Sequence, residues 1–114
     1  MNREKVEIFI TGDITTDTAN ELLKELEFVK QNESVKKVSF RINSNGGSVV
    51  AGLAMYDAIS ALSGVVETEG YIYGVCGSAA TYPALACDKV KMTPNATFFI
   101  HLCEGGLYGT IEQI

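Results

Sequence analysis

What this chain lacks narrows its function before any motif is considered. Its 114 residues contain no tryptophan, one histidine, two prolines and three cysteines. No apolar run approaches the ~18 residues of a membrane span, and "MNREKVEIFITG" at the N-terminus carries charges around a short alternating stretch rather than a signal-peptide core. A cytoplasmic chain with no membrane partner is predicted. Positive charge is also scarce: 14 acidic residues face 9 basic ones for a net charge of -5, and the longest basic cluster is the pair Lys36 and Lys37. That balance argues against nucleic acid as a partner. Cys76, Cys87 and Cys103 form an odd set without secretory context, which predicts reduced thiols rather than a disulfide framework. Together with His101 they number four possible ligands, but no CxxC knuckle is present, so small core residues are expected and no metal.

With 46% apolar and 20% charged residues, a chain of this length can bury the core of one domain. "KVEIFI" (5–10) alternates and is broken by "TGD", which predicts a strand and a turn. Ala19, Leu22, Leu23, Leu26 and Val29 follow at helical spacing, with Thr15, Thr16 or Asp17 as candidate caps. "KKVSFRI" (36–42) puts Val38, Phe40 and Ile42 on one face of a second strand, and Val50, Leu53, Ala54 and Ala61 suggest a second helix. A third strand fits "VVETEGYIYG". The small apolar stretch from Ser78 to Cys87 fits a buried helix whose first turn or kink accommodates Pro83, and "KVKMT" and "TFFIH" flank the turn "PNA" as short strands. Alternating strands and helices imply an α/β fold with a parallel sheet and right-handed βαβ crossovers. The closing "GGLYGTIEQI" begins as a loop and ends in a helical pattern without a cap, which suggests a cut edge.

Sites in such folds lie at the carboxyl ends of strands, and "NSNGG", "GVCGS" and "FFIH" all end there. Ser78, after Gly74 and Gly77, would open the third helix, where unpaired N–H groups favour developing negative charge. His101 ends the last strand and could accept the serine proton. Gly46 and Gly47 offer backbone N–H groups with no side chain to obstruct a substrate carbonyl, and the Ala79 N–H could join them in an oxyanion hole. Each residue also has a plainer reading: the glycine pair as a tight turn, Ser78 as a helix cap, His101 as a structural residue. Glu104, Asp57 and Asp88 are candidates for an acidic partner of the histidine, and spacing does not rank them.

Taken together, "INSNGGSVVAGLAMYDAI", "GVCGSAATYPALACDKV" and "MTPNATFFIH" resemble the proteolytic subunit of the Clp protease family, especially its shorter phage-type relatives. The likeness spans nearly the whole chain. In the family the first segment reads N-S-P-G-G, and here Asn45 replaces the proline. The second has the form G-x-A-A-S, met by Gly74, Cys76, Gly77 and Ser78 with two small-residue substitutions. The third ends P-N-x-x-x-x-I-H, met by Pro94, Asn95, Ile100 and His101. "SAAT" offers a second register that puts Thr81 at the serine position, but Ser78 keeps the better spacing to "DKV" and His101.

The resemblance implies a crotonase-like α/β fold and a single Clp-protease-like domain over residues 1–114 that lacks the C-terminal part of the family fold. It further implies hydrolysis of polypeptide substrates by Ser78 with His101 as base, and oxyanion donation by Gly46 or Gly47 with Ala79. Homo-oligomeric rings fed by an ATP-dependent unfoldase are implied as well, with no cofactor in the proteolytic subunit. The family's triad aspartate lies beyond the matched segments, so a weakly active or inactive chain is expected. The rival readings are a Ser/Lys protease of the signal peptide peptidase A type using Lys89 or Lys91, an enoyl-CoA hydratase-type relative without a nucleophile, a phage prohead protease and a non-catalytic assembly subunit.

Overall fold

The structure is a computed structural model, and it describes residues 5–100. Five strands and three helices alternate: β1 (Lys5–Ile14), α1 (Thr16–Gln31), β2 (Lys37–Gly47), α2 (Val49–Ser60), β3 (Glu67–Gly77), a 3₁₀ turn (Ser78–Ala80) leading into α3 (Thr81–Leu85), β4 (Lys89–Met92) and β5 (Thr97–Phe99). All pairings are parallel, in the order β1-β2-β3-β4, with β5 against the carboxyl half of the same β3 edge that β4 pairs at its amino half. The expected parallel α/β sheet is therefore what this sequence forms.

Each crossover steps one strand in the same direction, so the helices gather over one face of the sheet. There α1 packs beside α2, and α2 beside α3. Alternating residues Ile8, Ile10, Val38, Phe40, Ile42 and Ile72 point into that layer and meet Leu22, Leu26, Val29, Met55 and Ile59. The opposite face is polar and aromatic. Arg41 donates to Glu7 at 2.9 Å and its guanidinium lies 5.2 and 5.3 Å from the ring centres of Tyr71 and Tyr73, while Lys91 pairs with Glu69 at 3.0 Å.

Thr15 is the cap of α1: its hydroxyl accepts the Thr18 N–H, and the Thr18 hydroxyl accepts the Thr15 N–H in return. Three expectations need correction. "TGD" does not end β1, because the strand passes through Gly12 at φ +74 and continues to Ile14, opposite a bulge in β2 where Asn43 to Gly46 faces Thr11 to Asp13. The third strand likewise runs past Gly74 to Gly77. The inward face of α2 is Ala51, Gly52, Met55 and Ile59; Val50 is 78% and Leu53 42% exposed, Ala54 is half-buried, and Ala61 is the exposed C-cap. That helix is apolar at most positions, so periodicity alone could not pick its face. Gly52 sets it, because a Cβ there would stand 2.7 Å from the Ala79 carbonyl oxygen.

Candidate active site

The site is built where β2 and β3 end. Between Ile42 and Ser44 the second strand advances two residues while β3 advances from Ile72 to Cys76, so β3 bulges outward at Gly74, φ +61. Asn43 holds that bulge, its Oδ1 accepting the Val75 N–H at 3.3 Å. On the other side, Ser44 is 2% exposed; its Oγ donates to the Gly12 carbonyl and accepts the Gly46 N–H at 3.0 Å. One buried hydroxyl, within the bulge of β2, thus ties Gly12 of β1 to the glycine pair.

Gly46 (φ +114) and Gly47 (φ +151) lie within β2 rather than in a loop after it, opposite Asp13 and Ile14 of β1. A Cβ on Gly47 would overlap the Ile14 backbone, and one on Gly46 would stand 2.7 Å from Ser78 Cβ and 3.1 Å from the Ala79 nitrogen. The bare backbone of "NGG" is what lets β2 and the start of the 3₁₀ turn meet. Ser78 itself is half-buried and adopts φ +53, a left-handed conformation that costs a non-glycine residue about 1–2 kcal/mol. Its side chain caps nothing: the 3₁₀ turn is preceded by Gly77 and has no side-chain cap bond. Ser78 opens the helical stretch as expected, but its first turn is 3₁₀ and α3 proper, Thr81–Leu85, spans 5 residues, too few for a substantial dipole.

Thr81, the residue of the competing register, is 2% exposed, and its Oγ1 donates to the Ser78 carbonyl at 2.7 Å. Cys76 is no rival nucleophile either: burial pushes its thiol up to about 12, and it donates to the Ala80 carbonyl. Phe99 of β5 lies opposite Gly77, with its ring against the Gly77 Cα. His101 follows two positions later in the sequence and lies outside the described residues, as do Cys103 and Glu104.

The remaining acidic candidates are placed elsewhere. Asp88 precedes β4, and its carboxylate accepts the Thr68 N–H at 3.0 Å, at the amino end of β3. Asp57 is exposed in the last turn of α2, which also points to that end. Lys89 and Lys91 sit opposite Glu69 and Tyr71 and form ion pairs with Glu67 and Glu69. Among the described residues, Asp13, beside Gly46, and Asp17, in the first turn of α1, are carboxylates at the carboxyl end; sequence reasoning passed over Asp13 because it read "TGD" as a turn. Among the described residues no group of three or more His, Cys, Asp or Glu side chains could hold a metal, and no helix is long and apolar enough to cross a membrane.

A family model for the Clp protease matches residues 1–114. The ATP-dependent Clp protease proteolytic subunit of Ligilactobacillus salivarius is 36% identical over 109 residues, 94% of this chain and 54% of that protein. That of Streptococcus mutans serotype c is 35% identical over 108 residues, 93% of this chain and 54% of the relative. The chain spans about half the length of the curated relatives it matches. Among solved structures, a mutant of ClpP1 from Listeria monocytogenes superposes with a TM-score of 0.76 at 23% identity, covering 94% of this chain and 62% of that one. The ClpP protease catalytic domain from Plasmodium falciparum also gives 0.76, at 27% identity, covering 88% and 56%.

Proposed function

This chain belongs to the Clp protease family, and from that premise we propose that it supplies the nucleophile and oxyanion hole of a serine endopeptidase acting on polypeptides. One observation carries the reading: Gly46 abuts Ser78 with no room for a side chain, so a backbone of donors and a hydroxyl converge at the carboxyl end of the sheet.

In this reading Ser78 Oγ attacks the scissile carbonyl carbon while its proton passes to the imidazole of His101. The carbonyl oxygen becomes an oxyanion. Because the Gly46 N–H is already taken by Ser44, the donors to that oxygen are the amides of Gly47 and Ala79. Collapse breaks the C–N bond, and the histidine delivers its proton to the departing amine. Water then attacks the acyl-enzyme, gives a proton to the same base, and releases the acid as Ser78 recovers its hydrogen. The parallel pairing of Phe99 with Gly77 supports His101 in this role, because it brings the strand that precedes the histidine beside the one that ends at the nucleophile. Lysine as base is disfavoured, since Lys91 stands opposite Tyr71, roughly 20 Å back along β3, and Lys89 lies further still.

The positions of Asp57 and Asp88 at the amino end of β3 disfavour both as acidic partner of the histidine, and a serine protease that lacks such a partner loses about 10⁴ in turnover. Weak peptidase activity of the 114-residue chain is part of the proposal, as are assembly into homo-oligomeric rings and feeding by an ATP-dependent unfoldase; the curated relatives are named as proteolytic subunits of an ATP-dependent protease. No cofactor or metal has a part in it. Treatment with a fluorophosphonate probe, followed by peptide mapping, tests the reading. An adduct on Ser78 that is lost in His101→Ala and kept in Lys91→Ala is expected; an adduct elsewhere, or one indifferent to His101, overturns it.

A further inference from the structure

Thr81 has a buried hydroxyl that neither caps a helix nor faces solvent. It reaches back to the Ser78 carbonyl at 2.7 Å, while the Thr81 N–H is shared between the Ala79 carbonyl and that same oxygen. A peptide unit is planar and trans, so its C=O and its N–H point in opposite directions. Holding the Ser78 carbonyl toward Thr81 therefore turns the Ala79 N–H away from Thr81. Its nitrogen lies 3.1 Å from where a Gly46 Cβ would be, on the side where the glycine pair meets the nucleophile. The same bond also opposes the tendency of Ser78 to relax from φ +53 into the right-handed region that Ala80 and Thr81 adopt.

We propose that Thr81 is a positioning residue for the oxyanion hole: by clamping the Ser78 carbonyl it aims the Ala79 N–H and keeps Ser78 in its left-handed conformation. The inference rests on the reading of Ser78 as nucleophile. It explains why a hydroxyl is present at a site where an apolar side chain would fill the same space. Serine at 81 keeps the donor and loses only a methyl, whereas valine keeps the shape and loses the donor.

The test compares wild type, Thr81→Val and Thr81→Ser by the rate and saturation of Ser78 labelling with a fluorophosphonate, in which an Oγ–P bond forms and fluoride leaves. The Ser78 ¹³Cα and ¹³Cβ shifts and the Ala79 amide are followed in parallel by NMR. A donor aimed at an oxyanion acts on the chemical step, and its full removal costs 10²–10³, so misaiming it is expected to lower the maximal labelling rate about tenfold. Half-saturation should stay unchanged in Thr81→Val, with the Ser78 shifts moved away from left-handed values, and Thr81→Ser should restore both. Labelling of Thr81→Val at the wild-type rate overturns the role of Thr81 and leaves the nucleophile reading standing. Equal losses in the valine and serine variants overturn it as well, because the hydroxyl is then not the cause. A wild-type chain that takes no label on Ser78 removes the nucleophile reading itself, and this inference with it.

Discussion

Gly46 lies so close to Ser78 that a Cβ on the glycine would stand 2.7 Å from the serine Cβ and 2.8 Å from the Gly77 carbonyl oxygen. The contact joins the end of one strand to the turn that follows its neighbour, and it depends on a residue with no side chain. Gly46→Ala combines crowding against backbone with strain at φ +114. A loss of about 2–5 kcal/mol is expected from the two effects, with Ser78 labelling abolished. Gly64 provides the control, since it also has positive φ, +80, but nothing within 4 Å of its missing Cβ. Gly64→Ala should cost only about 1–2 kcal/mol and leave labelling intact, as read by urea unfolding and probe incorporation. Equal effects of the two substitutions would show that strain, not the approach of Gly46 to Ser78, matters.

Burial determines the behaviour of two thiols. Cys76 and Cys87 are both pushed up to about 12, chiefly by desolvation, and each donates to a carbonyl one turn away or nearby, Ala80 and Pro83 respectively. At pH ~8 both are thiols, not thiolates. Alkylation by iodoacetamide should therefore proceed at these two positions at least tenfold more slowly in the folded chain than in urea, which mass mapping can follow. Rapid modification of Cys76 in the native chain would contradict its placement beneath the site.

The sequence carried the order of elements well, because strands and helices here differ in period and are separated by recognisable breaks. Val38, Phe40 and Ile42 are all fully buried, as alternation predicts. It carried the ends of the strands poorly. Gly12, Gly46 and Gly74 read locally as turns, yet each is a bulge or strained position inside a longer strand, stabilised by a neighbour that only tertiary structure supplies: Ser44 for the first two, Asn43 for the third. The face of α2 was illegible for a related reason. Leu53 and Val50 have the stronger hydrophobic signal, but the packing is fixed by the smallest residue, Gly52, against Ala79. Of the candidate site, Ser78, Ala79 and the glycine pair could be named from spacing, whereas Thr81 was visible only as a rival nucleophile and Ser44 not at all.

Helix α1 enters directly from the extended end of β1, and its first turn is fixed by reciprocal bonds between Thr15 and Thr18 at 3.1 and 2.8 Å. A capping threonine is worth about 1 kcal/mol. Thr15→Ala should lower stability by that amount, and Thr15→Asp should retain most of it by accepting the same N–H. Denaturant midpoints at constant m-value would report this, and an alanine variant as stable as wild type would mean that the exposed first turn frays.

Glu69 is buried on the polar face of the sheet, and the hydrogen bond from Lys91 holds its carboxyl below the ordinary glutamate value against the opposing effect of burial, with help from the charge of Lys37. A carboxyl with a depressed native pKa binds its proton more tightly in the unfolded chain. Its contribution to stability is thus present above the unfolded value of ~4.3 and disappears as pH falls through the lower, folded value. Lys91→Met removes the first cause and leaves the burial that works the other way. The variant should be less stable than wild type at neutral pH, and the difference should shrink as urea unfolding is repeated at progressively lower pH below ~4.3. Labelling of Ser78 should be unaffected, because the lysine acts at the opposite end of β3. A variant that loses labelling without losing stability would instead point to Lys91 as the base, and would return the Ser/Lys reading to first place.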